Sequence, residues 1–181
     1  MFDSLDYVSE IGARCVVVHP GKTSSTKDSP EEYWTMQIDS LSEIVLKAKE
    51  IGMDVNMEIM EPRKKEIVTT PEIANEILQT IPMENLGITL DLSHAQLSGG
   101  PLEFIRRLKK ISHVHLSDAK EDNPHYPLGG GDLEVCGSLK ELRKRYDCLV
   151  IIEGWDWLDE LGMVKKTSEI VNEIRSKLQI E

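Results

Sequence analysis

The sequence has few cysteines and no long apolar run. Its three cysteines are odd in number and show no CxxC spacing, so we expect reduced thiols and a cytoplasmic protein. The N-terminal stretch does not have the pattern of a signal peptide, which argues against export. The sequence also lacks a run of 18 apolar residues, and it therefore predicts no membrane span.

Concentrated positive charge is also missing. The net charge is −11, and the acidic residues are spread along the chain. Binding a phosphate backbone requires clustered Lys and Arg, so this charge balance argues against a nucleic-acid partner, although it does not exclude a local basic groove. The 181 residues, 40% of them hydrophobic and 29% charged, are typical of one globular domain with a real core.

Short apolar runs alternate with longer amphipathic ones. The short runs are rich in β-branched residues, as in strands that are buried on both faces of a parallel sheet. They cover residues 15–19, 54–58, 87–91, 112–116 and 149–153. Helix-start signals lie between them at Ser29-Pro30, Thr70-Pro71 and Pro101, and Gly52 predicts a helix end.

This alternation predicts repeated strand–helix units after an initial helix that holds Leu5, Val8 and Ile11. Such units form a parallel sheet with helices outside, either a barrel or a doubly wound sheet. Neither GxGxxG nor GxxxxGK[ST] is present, which weakens the nucleotide-binding versions of the open sheet.

Each predicted strand ends in a potential metal ligand. One charged residue at a strand end is usually only the exit into solvent, whereas five of them favour a shared site, because strand ends converge on one rim of a barrel. Carboxylate and imidazole ligands suit manganese, magnesium or zinc, and a cation relieves the repulsion between clustered carboxylates. The five residues are His19, Glu58, Asp91, His115 and Glu153.

Further polar residues follow these ends. His94 and Asp118 each come three residues after a candidate ligand, and His125 precedes the glycine loop 128–132. His113 should point to the same side of its strand as His115, as a core residue or a support for the ligands. The glycine loop is compatible with a phosphate cradle and with a plain flexible turn.

Six stretches in this order resemble the xylose-isomerase-like superfamily of (β/α) barrels. Each is a weak signal alone, but together they cover nearly the whole chain. They are residues 17–21, 56–58, 90–95, 113–118, 125–131 and 152–153. The resemblance implies one barrel domain over residues 1–181. The superfamily includes sugar isomerases and epimerases, inosose-processing enzymes and the DNA-repair enzyme endonuclease IV.

In the epimerase branch, residues matching Glu58, Asp91, His115 and Glu153 bind one divalent metal ion. The two glutamates are catalytic there and exchange a proton with a substrate carbon through an enediolate. The resemblance also implies that the residue matching His94 contacts the substrate, and we predict substrate contacts for His19, Asp118 and His125 as well. In the endonuclease IV branch, the residues matching His19, His94 and His125 join a three-zinc cluster.

Two departures from the nuclease pattern favour a sugar-type site. The zinc cluster requires an aspartate two residues before the histidine that matches His125, and this sequence has Asn123 there. A strand with a further histidine ligand is also missing before residue 15. We therefore predict a metal-dependent isomerase or epimerase of a sugar, polyol or sugar phosphate. The alternatives are a zinc phosphodiesterase for abasic DNA and a non-catalytic barrel or subunit that needs a partner.

The predicted barrel is incomplete. A (β/α)₈ barrel takes about 250 residues, whereas only five strands have clear signals here. Open sheet edges and exposed interior residues invite pairing with another chain. We therefore expect a homo-oligomer, or a longer protein whose N-terminal part completes the barrel.

Overall fold

The computed structural model describes residues 2–179, and it contains one main sheet, one small hairpin and seven helices. The strands are β1 (Cys15–Val18), β2 (Asp54–Glu58), β3 (Leu86–Asp91), β4 (His113–Leu116), β5 (Asp118–Lys120), β6 (Asn123–Tyr126) and β7 (Val150–Ile152). The helices are α1 (Phe2–Glu10), α2 (Pro30–Glu50), α3 (Pro71–Thr80), α4 (Leu92–Leu97), α5 (Pro101–Arg107), α6 (Val135–Leu142) and α7 (Glu160–Leu178).

The main sheet is parallel throughout and has the order β1-β2-β3-β4-β7. Every residue of β3 is buried, as are the last four of β2, which include the polar Asn56 and Glu58. Burial of this extent is expected of central strands that are covered on both faces. Helices pack against these strands, and the curled sheet forms part of a (β/α) barrel. The predicted incomplete barrel is therefore confirmed.

The sheet has two open edges. In the part of the chain that the structure describes, β1 and β7 each pair with a strand on one side only. Near the β7 edge, Leu149 is 77% exposed and Ile151 is 41% exposed. An edge with exposed apolar residues favours pairing with further polypeptide, so self-association stays a prediction.

Local signals explain most helix boundaries. Thr70 caps α3 by accepting a hydrogen bond from the backbone N–H of Ile73, and Gly52 follows α2 with φ +70°. Ser29 is the N-cap of α2, but its side chain makes no capping bond and contacts Glu31 instead. Among residues 2–179, no helix combines the length and the apolar character that crossing a membrane would require.

An antiparallel hairpin, β5–β6, was not predicted. It contains Asp118 and His125, which the sequence places in a region after the fourth main strand. The hairpin has few apolar residues and Pro124 in its second strand, so it lacks the alternation that identifies strands. It packs against α4 and so brings His125 to the rim of the sheet.

Candidate metal centre

Four predicted ligands lie together at the carboxyl edge of the main sheet. Glu58 and Asp91 are the last residues of β2 and β3, and Glu153 directly follows β7. His115 is paired with Asp91 in the register of β3 and β4. Because all these strands are parallel, their carboxyl ends meet at one edge, and the four side chains converge there.

The distances in this group are those of a compact polar cluster. His115 Nδ1 lies 2.6 Å from Glu153 Oε2, 3.2 Å from Glu58 Oε1 and 3.9 Å from Asp91 Oδ2. One ligand atom from each of the four residues lies within 4.8 Å of the others. Glu58, Asp91 and His115 are buried, whereas Glu153 is partly exposed.

The electrostatics of the cluster fit a bound cation. Burial is the largest effect on His115 and disfavours its charged form, but hydrogen bonds to Glu153 and Glu58 outweigh it and raise the pKa to about 10. The same contact outweighs the burial of Glu153 and lowers the pKa of its carboxyl. His115 Nδ1 carries a single proton and cannot donate hydrogen bonds to all three carboxylates. Asp91 Oδ2 is buried and has no hydrogen-bond partner. A divalent ion would satisfy these oxygen atoms.

A second group, Asp91, His94 and His125, adjoins the first. His94 Nδ1 lies 2.9 Å from the carbonyl oxygen of Ile59, which favours a proton on Nδ1 and leaves Nε2 free as an acceptor. That Nε2 is 3.2 Å from His125 Nε2. Asp91 also caps α4 through the backbone N–H groups of Ser93 and His94, so one carboxylate fixes the helix that carries His94.

The other predicted substrate-contact residue at this edge is His19. Its side chain is 62% exposed, and its Nε2 lies 3.2 Å from Glu58 Oε2. His113 is half-buried and its ring lies edge-on against that of His115, with centroids 5.1 Å apart. Burial, followed by the charge of His115, lowers the pKa of His113. His113 therefore adjoins the cluster through the ring of His115.

Asp118 is not among the residues of the cavity wall, and its predicted contact with substrate stays a prediction. It is 1% exposed, and it accepts hydrogen bonds from the backbone N–H groups of Ala119, Gly129 and Leu133 at 2.9, 3.0 and 2.9 Å. A Cβ at Gly131 would lie 2.4 Å from its Oδ1. The glycine loop therefore wraps around a carboxylate of the chain itself, which occupies amides that a phosphate would need.

Replacing Asp118 by alanine is expected to lower the free energy of unfolding by about 2–4 kcal/mol, because three backbone N–H groups lose their acceptor. Urea denaturation measures this loss. Asp118→Asn keeps one acceptor oxygen and should lose less, and exposed Asp132→Ala is the matched control from the same loop. Unchanged stability of Asp118→Ala together with loss of sugar binding would contradict this structural role and favour the predicted substrate contact.

An open cavity of about 840 Å³ lies above the cluster. Its wall includes His19, Glu58, His94, His125 and Glu153, which the sequence identifies. Sequence reasoning missed other residues in the wall, because exposure at the rim and proximity across loops leave no periodic signal. These are Glu61, Arg63, Trp155, Asp156 and Trp157, among others. Two of them could have been suspected, since Glu61 and Trp155 closely follow the candidate ligands Glu58 and Glu153.

Comparisons with known proteins agree with this fold. A family model described as xylose isomerase-like TIM barrel matches residues 1–173. An uncharacterised protein of Methanocaldococcus jannaschii is 34% identical over 99% of this chain and 65% of its own length. The inosose isomerase of Bacillus subtilis is 29% identical over 66% of this chain and 41% of its own. A probable endonuclease 4 of Mycoplasmoides gallisepticum is 25% identical over 99% of this chain and 64% of its own.

Among solved structures, a D-tagatose 3-epimerase-like protein superposes with a TM-score of 0.89 and 29% identity. The match covers 98% of this chain and 68% of that protein. The chain thus spans between 41% and 65% of the length of the curated relatives it matches.

Proposed function

Because the chain belongs to the xylose isomerase-like TIM barrel family, we propose that it carries the metal centre of an isomerase or epimerase of a small sugar or polyol. The convergence of Glu58, Asp91, His115 and Glu153 at the carboxyl edge of the sheet carries this proposal. The names of two relatives, an inosose isomerase and a D-tagatose 3-epimerase-like protein, support sugar chemistry.

The four residues of the cluster would hold one divalent ion through three carboxylates and one imidazole. This donor set suits manganese, magnesium or zinc. When bound, the ion supplies Lewis acidity towards substrate oxygen atoms. At neutral pH, His115 of the metal-free chain carries a proton because its pKa is about 10, so binding must displace that proton.

The two glutamates are the proposed acid and base. Glu58 and Glu153 both line the cavity, and they come from β2 and from the end of β7, which are separated in the sheet by β3 and β4. Carboxylates on two sides of a substrate can remove a proton from carbon on one face and return one on the other. His19, His94 and His125 lie around the same cavity and are proposed to hold substrate hydroxyl groups.

A second candidate function is zinc-dependent phosphodiester hydrolysis. The group Asp91, His94 and His125 favours it, because a second ion would fit beside the first. Against it, Asn123 offers an amide where the nuclease pattern requires a carboxylate, and the net charge is −11. We therefore rank it below the sugar reaction.

Hydrogen exchange at carbon tests the proposed function. The metal-loaded chain should incorporate solvent deuterium into a ketose, an inosose or a sugar phosphate in D₂O, because an acid–base pair that moves a carbon-bound proton also exchanges it with water. NMR or mass spectrometry of the sugar measures the incorporation. If no sugar incorporates deuterium and abasic DNA is incised, the ranking of the two functions is reversed.

A further inference from the structure

Two tryptophans stand exposed at the rim of the cavity. Trp155 is 53% exposed and Trp157 is 80% exposed, and they are two of the three tryptophans in the chain. Their ring centroids are 5.4 Å apart with the planes inclined by 43°. Two exposed aromatic side chains that border a polar cavity typically mark a binding site. We call this pair the tryptophan platform.

The platform is attached to the β5–β6 hairpin. The backbone N–H of Trp155 donates to the carbonyl oxygen of His125 at 3.2 Å. The loop approaches so closely that a Cβ at Gly154 would lie 3.0 Å from the carbonyl oxygen of Tyr126. The N–H of Leu158 donates to Asp156 Oδ1 at 2.9 Å and fixes the turn that follows. The platform therefore has a defined place relative to the hairpin.

His125 connects the platform to the cluster. Its ring centroid is 5.6 Å from that of Trp155 and 4.9 Å from that of His94, and its Nδ1 is 3.8 Å from Asp91 Oδ2. One imidazole thus lies between the carboxylates and the first indole. A ligand that contacts both the cluster and the platform therefore has to extend past the whole width of the His125 ring, and a second ring joined to the unit at the cluster would provide that reach.

The charge of the cavity wall selects against anionic ligands. Four of its side chains are acidic, namely Glu58, Glu61, Glu153 and Asp156. Among residues 2–179, the wall contains a single Lys or Arg, which is Arg63. Its Nε lies 2.6 Å from Glu61 Oε1, so its positive charge is already paired with a carboxylate. A bound divalent ion would not neutralise the cavity, because Asp91 adds a further carboxylate to the acidic side chains of the wall. A phosphate would be repelled here, whereas neutral hydroxyl groups would not.

We propose that the tryptophan platform is a stacking subsite for a neutral sugar ring joined to the unit at the metal centre. The substrate would then be an unphosphorylated glycoside or oligosaccharide. The C–H bonds on one face of a pyranose form an apolar surface that fits an aromatic ring, while the hydroxyl groups stay in water. The identity of the reacting unit rests on the proposed function, but the stacking itself requires neither metal nor turnover.

Tryptophan fluorescence of the full chain, treated with chelator to remove metal, tests the subsite. Cellobiose and maltose should change the emission in a saturable way, and glucose 6-phosphate should bind more weakly than either. Trp157→Ala should lower the disaccharide affinity about 2- to 10-fold, the range for loss of one aromatic contact. Trp157→Phe, which keeps a ring, should lose less. Trp34→Phe is the control, because Trp34 lies on α2 and outside this cavity wall.

Three results would overturn the subsite: no response to either disaccharide, equal affinities of Trp157→Ala and wild type, or tighter binding of glucose 6-phosphate. Isothermal titration calorimetry with the same sugars checks that the fluorescence change reports binding. Since the titration uses metal-free protein, a negative result leaves the metal-dependent reaction standing. Conversely, disaccharide binding without deuterium exchange would support the platform and contradict the proposed function.

Discussion

Replacing Glu153 by glutamine is expected to lower turnover by about 10²- to 10⁴-fold, the usual contribution of a positioned acid or base. Glutamine keeps the size and the hydrogen-bonding oxygen of the side chain but cannot accept a proton at neutral pH. Binding of the sugar should change much less, because Glu153 is one of several polar groups in the cavity wall. The rate of deuterium incorporation and a separate binding titration measure the two effects.

The matched control for this variant is Glu160→Gln, an exposed glutamate at the start of α7. It makes the same chemical change close by in the chain and should leave turnover unchanged. If Glu153→Gln lowers binding as much as it lowers turnover, Glu153 only holds the substrate. Because Glu153 is also a proposed ligand, elemental analysis of the variant is needed, and a loss of bound metal would assign the lower turnover to ligation. Turnover equal to that of wild type would remove it from the reaction altogether.

The second large effect concerns the metal. Wild-type protein is expected to bind about one divalent ion per chain, as a four-ligand site does, and the double variant Asp91→Asn, His115→Gln is expected to bind almost none. The substitution to asparagine keeps an oxygen that can cap α4 through Ser93 and His94, so the loss reports on ligation and not on unfolding. Elemental analysis of purified protein measures the content, and circular dichroism confirms the fold.

The pH dependence of metal binding provides a second test of the assigned centre. Since the pKa of His115 is raised to about 10 in the metal-free chain, the ion competes with a proton at every pH below that value. Apparent metal affinity should therefore rise about tenfold for each pH unit between 6 and 8, if one proton is displaced. His113→Gln is the control, because it removes a half-buried imidazole from the same strand that is not one of the four proposed ligands, and it should leave this slope unchanged.

Three outcomes would contradict the assigned centre. One is a metal content of the double variant equal to that of wild type, and another is an affinity that does not change with pH. The third is three zinc ions per chain, which would favour the nuclease. A chain that binds one ion but exchanges no sugar proton would favour the other alternative, a non-catalytic barrel or a subunit that needs a partner.

The sequence alone predicted that the four candidate ligands lie together, because one rule of topology governs their positions. Strands of a parallel sheet end at the same edge, so a carboxylate or imidazole at the end of each apolar run predicts a cluster without any knowledge of distances. This reasoning brings Glu58, Asp91, His115 and Glu153 together, and the structure places them within one small site. Strand β3 is also easy to recognise, since it is buried throughout and rich in Leu and Ile, whereas buried β2 contains the polar Asn56 and Glu58.

Tertiary structure decided what depends on packing between distant segments. The hairpin of Asp118 and His125 lacks a periodic pattern, so its position against α4 could not be predicted. The same spacing of three residues gave His94 a place in the cavity wall and Asp118 a place inside the glycine loop, because one follows β3 into a helix and the other enters a hairpin. The exposure of Trp155 and Trp157 likewise follows from how their loop packs on that hairpin. This contact joins segments that are distant in the chain, so the local sequence does not predict it.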